Sequence, residues 1–230
     1  AGNSGMREMW FYESLFPTVK LGLKVKETVI SKRSPYQRIK ILNTYRFGKV
    51  LVLDGVVQTT EADEFIYHEI LSHLPLLSHP QPEKVLIIGG GDGGILREIL
   101  KHPVKEVFLV EIDEKVIEFS KEYLSAICKN SFADKRAKVV IDDGATFIKK
   151  CKEKFDVIIV DSSDPAGPAK VLFSSEFYRD THKALSDANG IFAQQTGSSF
   201  LQKEELPSVY ERLKKVFPFV ASFLAAVPTY

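Results

Sequence analysis

Carboxylates recur in the sequence just after the apolar runs that we expect to form buried strands. In chain order they are Asp92, Glu111, Asp113, Asp142, Asp143, Asp161 and Asp164. Each acid alone could simply cap the helix that begins there. Crowding several carboxylates without basic partners costs electrostatic energy. Their joint occurrence therefore predicts a cationic ligand.

The run Lys84–Gly94, KVLIIGGGDGG, predicts a buried strand, a glycine loop and the start of a helix. Its glycines fit G-x-G-x-x-G, and Glu111 follows about twenty residues later, which is the dinucleotide pattern. Asp92 argues against NAD, because a carboxylate at this point repels a pyrophosphate and attracts a cation. The loop therefore favours a nucleoside that carries positive charge, unless Asp92 only caps the following helix.

The positions of the acids indicate what each would bind. Glu111, at the end of the second strand, is placed to accept hydrogen bonds from both ribose hydroxyls. Asp143 suits the exocyclic amine of a base, with the Gly144 amide near a ring nitrogen. Together these residues describe an adenosine site, in which Asp92 would hold a cationic tail.

Asp161 and Asp164 follow the fourth strand and would meet a second cationic substrate. A metal ion is the competing explanation of clustered acids, but it needs several oxygens at short range. The acids are spread along the strand ends, and His68 and His73 diverge on their helix, so we expect no metal. The sequence contains no G-x-S-x-G and no Walker lysine, which disfavours serine hydrolases and P-loop proteins.

The elements that position these residues form two parts. Residues 6–60 predict a small antiparallel β domain, and residues 61–82 a helix (61–77) and a linker. Residues 83–230 alternate strand and helix, which predicts a mostly parallel, doubly wound Rossmann-like sheet. We expect its last strand over residues 219–226. Residues 1–5 resemble an expression remnant and are excluded.

Composition excludes several classes of protein. The chain has 230 residues, 44% of them hydrophobic, and a net charge of +1, so no nucleic-acid partner is indicated. No apolar run is long enough for a membrane helix. The two cysteines, Cys128 and Cys151, lie in no C-x-x-C motif, which predicts free thiols and a cytoplasmic location.

With these motifs in view, the chain resembles the spermidine synthases, which are polyamine aminopropyltransferases. The matching runs are YQ (36–37), LVLDGVVQTTEADEFIYHE (51–69), LIIGGGDGG (86–94), VEID (110–113), DDG (142–144), DSSDPAGPA (161–169), LFSSEFY (172–178) and PTY (228–230). The resemblance implies an N-terminal β domain and a methyltransferase-like Rossmann domain. It also implies transfer of the aminopropyl group of decarboxylated S-adenosylmethionine to putrescine, giving spermidine and methylthioadenosine, without a cofactor.

The resemblance also assigns residues by position. It implies that Asp161 is the base that deprotonates the attacking amine and that Tyr67 positions this amine. The implied donor site consists of Gln37, His68, Asp92, Glu111, Asp143 and Gly144. The implied diamine site consists of Gln58, Tyr67, Asp164, Gln195 and Tyr230. His68 could instead lie on a solvated helix face, Gln58 could be an ordinary strand residue, and Asp113 could be only a helix cap. A loop over residues 162–174 would close over the diamine.

Several alternatives stay open. The acceptor could be cadaverine, agmatine or spermidine, or the chain could be a putrescine N-methyltransferase, although Asp92 disfavours a donor with a carboxylate. An NAD-dependent dehydrogenase and a non-catalytic binding module are further readings. The family continues past P-T-Y, so we expect the catalytic domain to lack its last C-terminal strand here. By family likeness we expect a homodimer or homotetramer.

Overall fold

The structure, a computed structural model, describes residues 8–14, 16–162, 167–198 and 202–229. Two predicted site residues, Asp164 and Tyr230, lie outside the described residues. The chain forms two compact units, one within residues 1–66 and 226–230 and the other within residues 67–225.

The first unit is a five-stranded antiparallel sheet in which each strand pairs with the next along the chain. The strands are β1 (Met9–Tyr12), β2 (Gly22–Arg33), β3 (Arg38–Thr44), β4 (Lys49–Leu53) and β5 (Val56–Thr60). Asp54 and Gly55 turn the chain between β4 and β5 with φ of 47° and 87°, which is typical of a two-residue hairpin. The prediction of a small antiparallel sheet is confirmed.

The second unit contains a five-stranded parallel sheet of order β10-β9-β6-β7-β8. Its strands are β6 (Lys84–Gly89), β7 (Glu106–Glu111), β8 (Ala137–Ile141), β9 (Val157–Asp161) and β10 (Ile191–Gln194). The central strands β6 and β9 are apolar along their length and almost wholly buried, as expected of a sheet that is covered on both faces.

Helices cover both faces of this sheet, so the prediction of a doubly wound fold is confirmed. The helices are α1 (Glu64–Ser78), α2 (Gly94–Ile99), α3 (Glu114–Tyr123), α4 (Ser125–Cys128), α5 (Gly144–Lys150), α6 (Ser175–Ala184) and α7 (Glu205–Lys214). Val85 and Ile87 of β6 share an apolar cluster with residues of α1, α2 and α3. Leu86 and Ile88 share the other cluster with residues of α5, α6 and α7. Alternate side chains of one strand thus serve both layers.

The strand predicted over residues 219–226 is wrong, because this segment is irregular in the structure. A strand needs a neighbour for its backbone groups and a packed face for its side chains. Phe219 is 82% exposed and Leu224 is 71% exposed, so this stretch packs no apolar face. A mostly apolar composition was not sufficient to make it a strand.

None of the helices in the described ranges is both long and apolar enough to cross a membrane.

Candidate functional site

The predicted base lies at the end of the central strand β9. Asp161 is its last residue, and its backbone carbonyl accepts a hydrogen bond of 2.9 Å from the Gly90 amide. The Tyr67 hydroxyl, near the start of α1, donates to Asp161 Oδ1 at 2.6 Å. A Cβ at Gly89 would lie 2.0 Å from the Asp161 carbonyl oxygen, so only glycine allows the loop to approach β9 so closely.

The glycine loop holds Asp92 beside a histidine. Asp92 Oδ1 accepts a hydrogen bond of 2.8 Å from the Gly94 amide, and Asp92 Oδ2 lies 3.3 Å from His68 Nε2. The His68 ring occupies the space above Gly94, where a Cβ would lie 2.2 Å from its Cε1 atom. His68 is 1% exposed, which shows that it does not lie on a solvated helix face. Asp92 therefore does more than cap a helix.

Two thiols were predicted to be free, and both are. Cys128 is buried beside the glycine loop, where a Cβ at Gly93 would lie 2.7 Å from its own Cβ. Burial, and then the charge of Asp92, raise the pKa of the Cys128 thiol. Cys151 follows the last turn of α5 and is half-buried.

Burial and mutual repulsion set the protonation of the acids. Burial raises the pKa of Asp161 to about 6, and the nearby Asp92 adds to this, while His68 and the Tyr67 hydroxyl oppose it. Burial also acts to raise the pKa of Asp92, but the charge and hydrogen bond of His68, the Gly94 amide and the charge of Arg97 together outweigh it, so this pKa is lowered. Two neighbouring carboxylates thus differ in basicity, and the weaker acid, Asp161, is suited to accept a proton.

Glu111 ends β7 and faces the glycine loop. Its Oε1 atom accepts a hydrogen bond of 2.9 Å from the Asp113 amide, and a Cβ at Gly91 would lie 2.9 Å from its Oε2 atom. Burial raises the pKa of Glu111 to about 7, with repulsion from Asp113 and Asp161 adding to the rise. A ligand that donates hydrogen bonds or brings positive charge would favour its ionised form. Asp113 itself caps α3 by accepting from the Lys115 amide, as the cap alternative predicts.

Asp143 and Gly144 begin α5 after the edge strand β8. Asp143 Oδ1 caps the helix by accepting a hydrogen bond of 2.7 Å from the Thr146 amide. The side chain is half-buried, and its second oxygen is the one to consider for a ligand. A Cβ at Gly144 would lie 2.3 Å from a methyl carbon of Ile88, so close packing against β6 requires glycine at this position.

His68, Asp92 and Asp161, three of the residues that the resemblance assigns to the site, form one cluster. Each offers one ligand atom, and these atoms all lie within 4.8 Å of one another, a grouping that could hold a metal ion. His68 stands beside these acids because α1 places it directly over the glycine loop. Helical spacing predicted that His68 and His73 point in different directions, but it could not predict that His68 packs against Gly94.

The remaining predicted residues lie elsewhere in the fold. Gln195 follows β10, and its amide donates to the Val160 carbonyl at 3.3 Å. Gln37 immediately precedes β3, and Gln58 lies in β5, where its side chain donates to the Val56 carbonyl at 3.3 Å; both belong to the first unit. Asp164 and Tyr230 lie outside the described residues.

The fold and the ends of its strands define a Rossmann-like α/β protein with a carboxylate-lined site, preceded by an antiparallel β unit. Comparison with known proteins agrees with this class. Residues 64–230 match the family model of the spermine/spermidine synthase domain, and residues 9–61 match that of the spermidine synthase tetramerisation domain.

Individual relatives span nearly the whole chain. A polyamine aminopropyltransferase of Thermoanaerobacter sp. (strain X514) is 46% identical over 224 residues, covering 97% of this chain and 80% of that protein. One of Caldicellulosiruptor saccharolyticus is 48% identical over the same shares of both chains. A crystal structure of spermidine synthase in complex with the transition-state analogue AdoDATO superimposes with a TM-score of 0.93 at 44% identity, covering 96% of this chain and 76% of that one. Spermidine synthase of Thermotoga maritima superimposes with a TM-score of 0.92 at 42% identity, covering 97% and 76%.

The chain therefore belongs to the spermine/spermidine synthase family and is a transferase of the polyamine aminopropyltransferase class. The expected class of enzyme and the expected fold are both confirmed. An NAD-dependent dehydrogenase is excluded by this membership.

Proposed function

We propose that this protein is a spermidine synthase, which transfers the aminopropyl group of decarboxylated S-adenosylmethionine to putrescine. The observation that carries the proposal is the pair of carboxylates beside the glycine loop, the buried Asp92 and the half-buried Asp161. The donor carries a sulfonium and an ammonium group and no carboxylate. These two acids would bind the positive charges of the donor and repel the carboxylate of ordinary S-adenosylmethionine.

In the proposed donor site, Glu111 accepts hydrogen bonds from the ribose hydroxyls. Asp143 binds the adenine amine through the oxygen that does not cap α5, with the Gly144 amide near a ring nitrogen. Asp92 and His68, with Gln37, hold the aminopropyl tail. The raised pKa of Glu111, about 7, supports this assignment, because ribose hydroxyls would replace some of the solvation that burial removes.

In the proposed reaction, Asp161 takes a proton from the attacking ammonium group of putrescine. An alkyl ammonium has a pKa near 10 and is no nucleophile until it is deprotonated. The amine nitrogen then attacks the methylene carbon next to sulfur, in line with the carbon–sulfur bond. That bond breaks, its electron pair stays on sulfur, and neutral methylthioadenosine leaves.

The residues around this step would act by position and charge. Tyr67 holds Asp161 through the 2.6 Å hydrogen bond and contacts the amine. Gln58, Asp164, Gln195 and Tyr230 are the proposed diamine residues.

A donor exchange tests the proposal. The protein is incubated with putrescine and either decarboxylated or ordinary S-adenosylmethionine, and methylthioadenosine and S-adenosylhomocysteine are quantified. We expect methylthioadenosine from the decarboxylated donor alone. S-adenosylhomocysteine would instead indicate an N-methyltransferase. Cadaverine, agmatine and spermidine then replace putrescine, and a higher kcat/KM for one of them would change the proposed acceptor.

We also propose that the protein is a homodimer or homotetramer in the cytoplasm. The match of residues 9–61 to a tetramerisation domain supports self-association. So do Met9, Trp10 and Tyr12 of β1, which are 43%, 45% and 61% exposed, because exposed apolar groups of this size mark association surfaces. Light scattering after gel filtration tests the oligomer, and a monomer at assay concentration would refute it.

A further inference from the structure

A second charged cluster lies in the same unit and includes none of the predicted site residues. Glu98, in α2, is 1% exposed, and its two oxygens accept from three side chains. Arg97 Nε donates to Oε1 at 2.7 Å, and Lys101 Nζ donates to Oε2. His73 Nε2, from α1, lies 3.0 Å from Oε2. His73 Nδ1 in turn lies 2.8 Å from His102 Nε2.

The chemistry of Glu98 fixes the direction of its hydrogen bond with His73. Burial acts to raise the pKa of Glu98, but the hydrogen bonds from Lys101 and Arg97 outweigh it and lower the pKa, so Glu98 is an ionised acceptor. His73 must therefore donate from Nε2, which in the neutral tautomer leaves its Nδ1 as an acceptor. In that tautomer His102 donates from Nε2 to His73 Nδ1. Burial and the neighbouring His73 lower the pKa of His102.

Two histidine nitrogens at this distance could also suggest a metal site, but the local charge argues against one. Arg97 and Lys101 both contact Glu98, so the cluster already carries one positive charge more than negative charge. A divalent cation would add to that excess. The hydrogen-bonded relay, in which every named donor has an acceptor, accounts for the geometry without an ion.

The cluster joins the two helices that carry the donor-binding pair. His68 and His73 are both in α1, and five residues correspond to about 7.5 Å along a helix. Asp92 immediately precedes the turn into α2, and Glu98 lies near the end of that helix. The contact between His68 and Gly94 leaves no space for even a Cβ. A small shift of α1 against α2 would therefore separate His68 Nε2 from Asp92 Oδ2.

Helix α1 needs an additional restraint on its position because it contains Pro75. Proline has no N–H, so the Leu71 carbonyl loses its helical partner, and the ring crowds that turn. His73 lies within the weakened turn. Its side-chain hydrogen bond to Glu98 restrains α1 where the backbone hydrogen bonds are incomplete.

We propose that the relay from His102 through His73 to Glu98 positions α1 on α2, and thereby sets the His68–Asp92 pair that binds the aminopropyl tail of the donor. His73, His102 and Glu98 are positioning residues, since none of them needs to touch a substrate. The choice of ligand rests on the proposed function. The positioning of the glycine loop can also be measured without any ligand.

The experiment compares H102L with H102Q. The Gln amide nitrogen reproduces the donor at Nε2, whereas Leu removes it, and His102 lies in a half-buried turn after α2. Calorimetry measures the Kd of decarboxylated S-adenosylmethionine and of methylthioadenosine, which lacks the tail. We expect H102L to weaken the donor roughly five- to ten-fold and to change the affinity for methylthioadenosine less than about two-fold. H102Q should behave as the wild type.

Each other outcome overturns the inference. If H102L weakens the binding of both ligands equally, or of neither, His102 does not act on the site that binds the tail. If H102Q loses as much donor affinity as H102L, the hydrogen bond is not the cause. If H102L does not fold, H102A gives the same comparison. Hydrogen exchange at the Gly94 amide of the free protein supplies the second readout, and we expect it to be faster in H102L. A wild-type protein that does not bind the decarboxylated donor would refute the proposed function, whereas unchanged exchange at Gly94 would refute the positioning role.

Discussion

Removing one hydroxyl should change the pH dependence of the reaction in a defined direction. Tyr67→Phe deletes the donor that lies 2.6 Å from Asp161 Oδ1. A hydrogen bond to a charged group is worth about 1.5–3 kcal/mol net. At about 1.4 kcal/mol per pKa unit, its loss should raise the pKa of Asp161 by roughly 1–2 units. The wild-type pKa is about 6, so the variant should need a more alkaline solution to ionise its base.

The assay is the ratio of wild-type to variant rates of methylthioadenosine formation, from about pH 5.5 to about pH 9.5. Taking the ratio at each pH cancels the titration of the acceptor amine, which is common to both proteins. Below both pKa values the ratio should reach roughly 10–100, because that factor is the shift in pKa. Above both values it should fall to a constant, since Asp161 is then ionised in either protein.

A matched control is Tyr45→Phe, because Tyr45 is 62% exposed and lies in the antiparallel unit. Its ratio should stay near one at every pH. A Tyr67→Phe ratio that is independent of pH would show that Tyr67 does not support the base. A ratio that grows with pH would reverse the sign and refute the assignment of Asp161 as the proton acceptor.

Four further outcomes are expected. Asp161→Asn should lower kcat about 10²–10⁴-fold with an unchanged circular dichroism spectrum. A smaller loss would show that a residue other than Asp161 is the base. Glu111 has a folded pKa of about 7, above its ordinary 4.5, so its contribution to the stability of the folded state is present below about pH 4.5 and is lost towards pH 7. Urea unfolding of the wild type should show this loss, up to about 3 kcal/mol, and Glu111→Gln should not show it. Gly94→Ala should weaken donor binding by calorimetry, because its Cβ would lie 2.2 Å from His68 Cε1, and wild-type affinity would mean that His68 does not contact the donor. Dialysis against EDTA should leave the rate unchanged, and a loss that zinc restores would assign His68, Asp92 and Asp161 to a metal.

Much of the fold was predictable because its signals are local. Each signal can be recognised within a short stretch of sequence. These signals are the apolar runs of β6 and β9, the glycines after β6, and the helical spacing that follows each predicted strand. Parallel strands also present their carboxyl ends at one edge, so the placement of Asp92, Glu111 and Asp161 followed from topology. The strand predicted at residues 219–226 was wrong, because strand formation also depends on whether a neighbouring strand is available for pairing, and a local pattern does not show this.

The contacts of the site were less predictable because they join residues far apart in the sequence. Tyr67 and Asp161 meet only because α1 packs on the glycine loop. Glu98 was missed altogether, because a charged residue on an amphipathic helix is ordinarily expected to face solvent. In the structure every residue of α2 is buried, and Glu98 is satisfied by Arg97, Lys101 and His73 instead of water.

The contrast between the two thiols has a practical consequence for spectroscopy. Cys128 is buried, and its raised pKa keeps it protonated, whereas Cys151 is partly exposed. Thiolate is the species that reacts with a maleimide. A fluorescent dye should therefore attach at Cys151 before Cys128, which places the label of this chain at the end of α5, the helix that Asp143 caps.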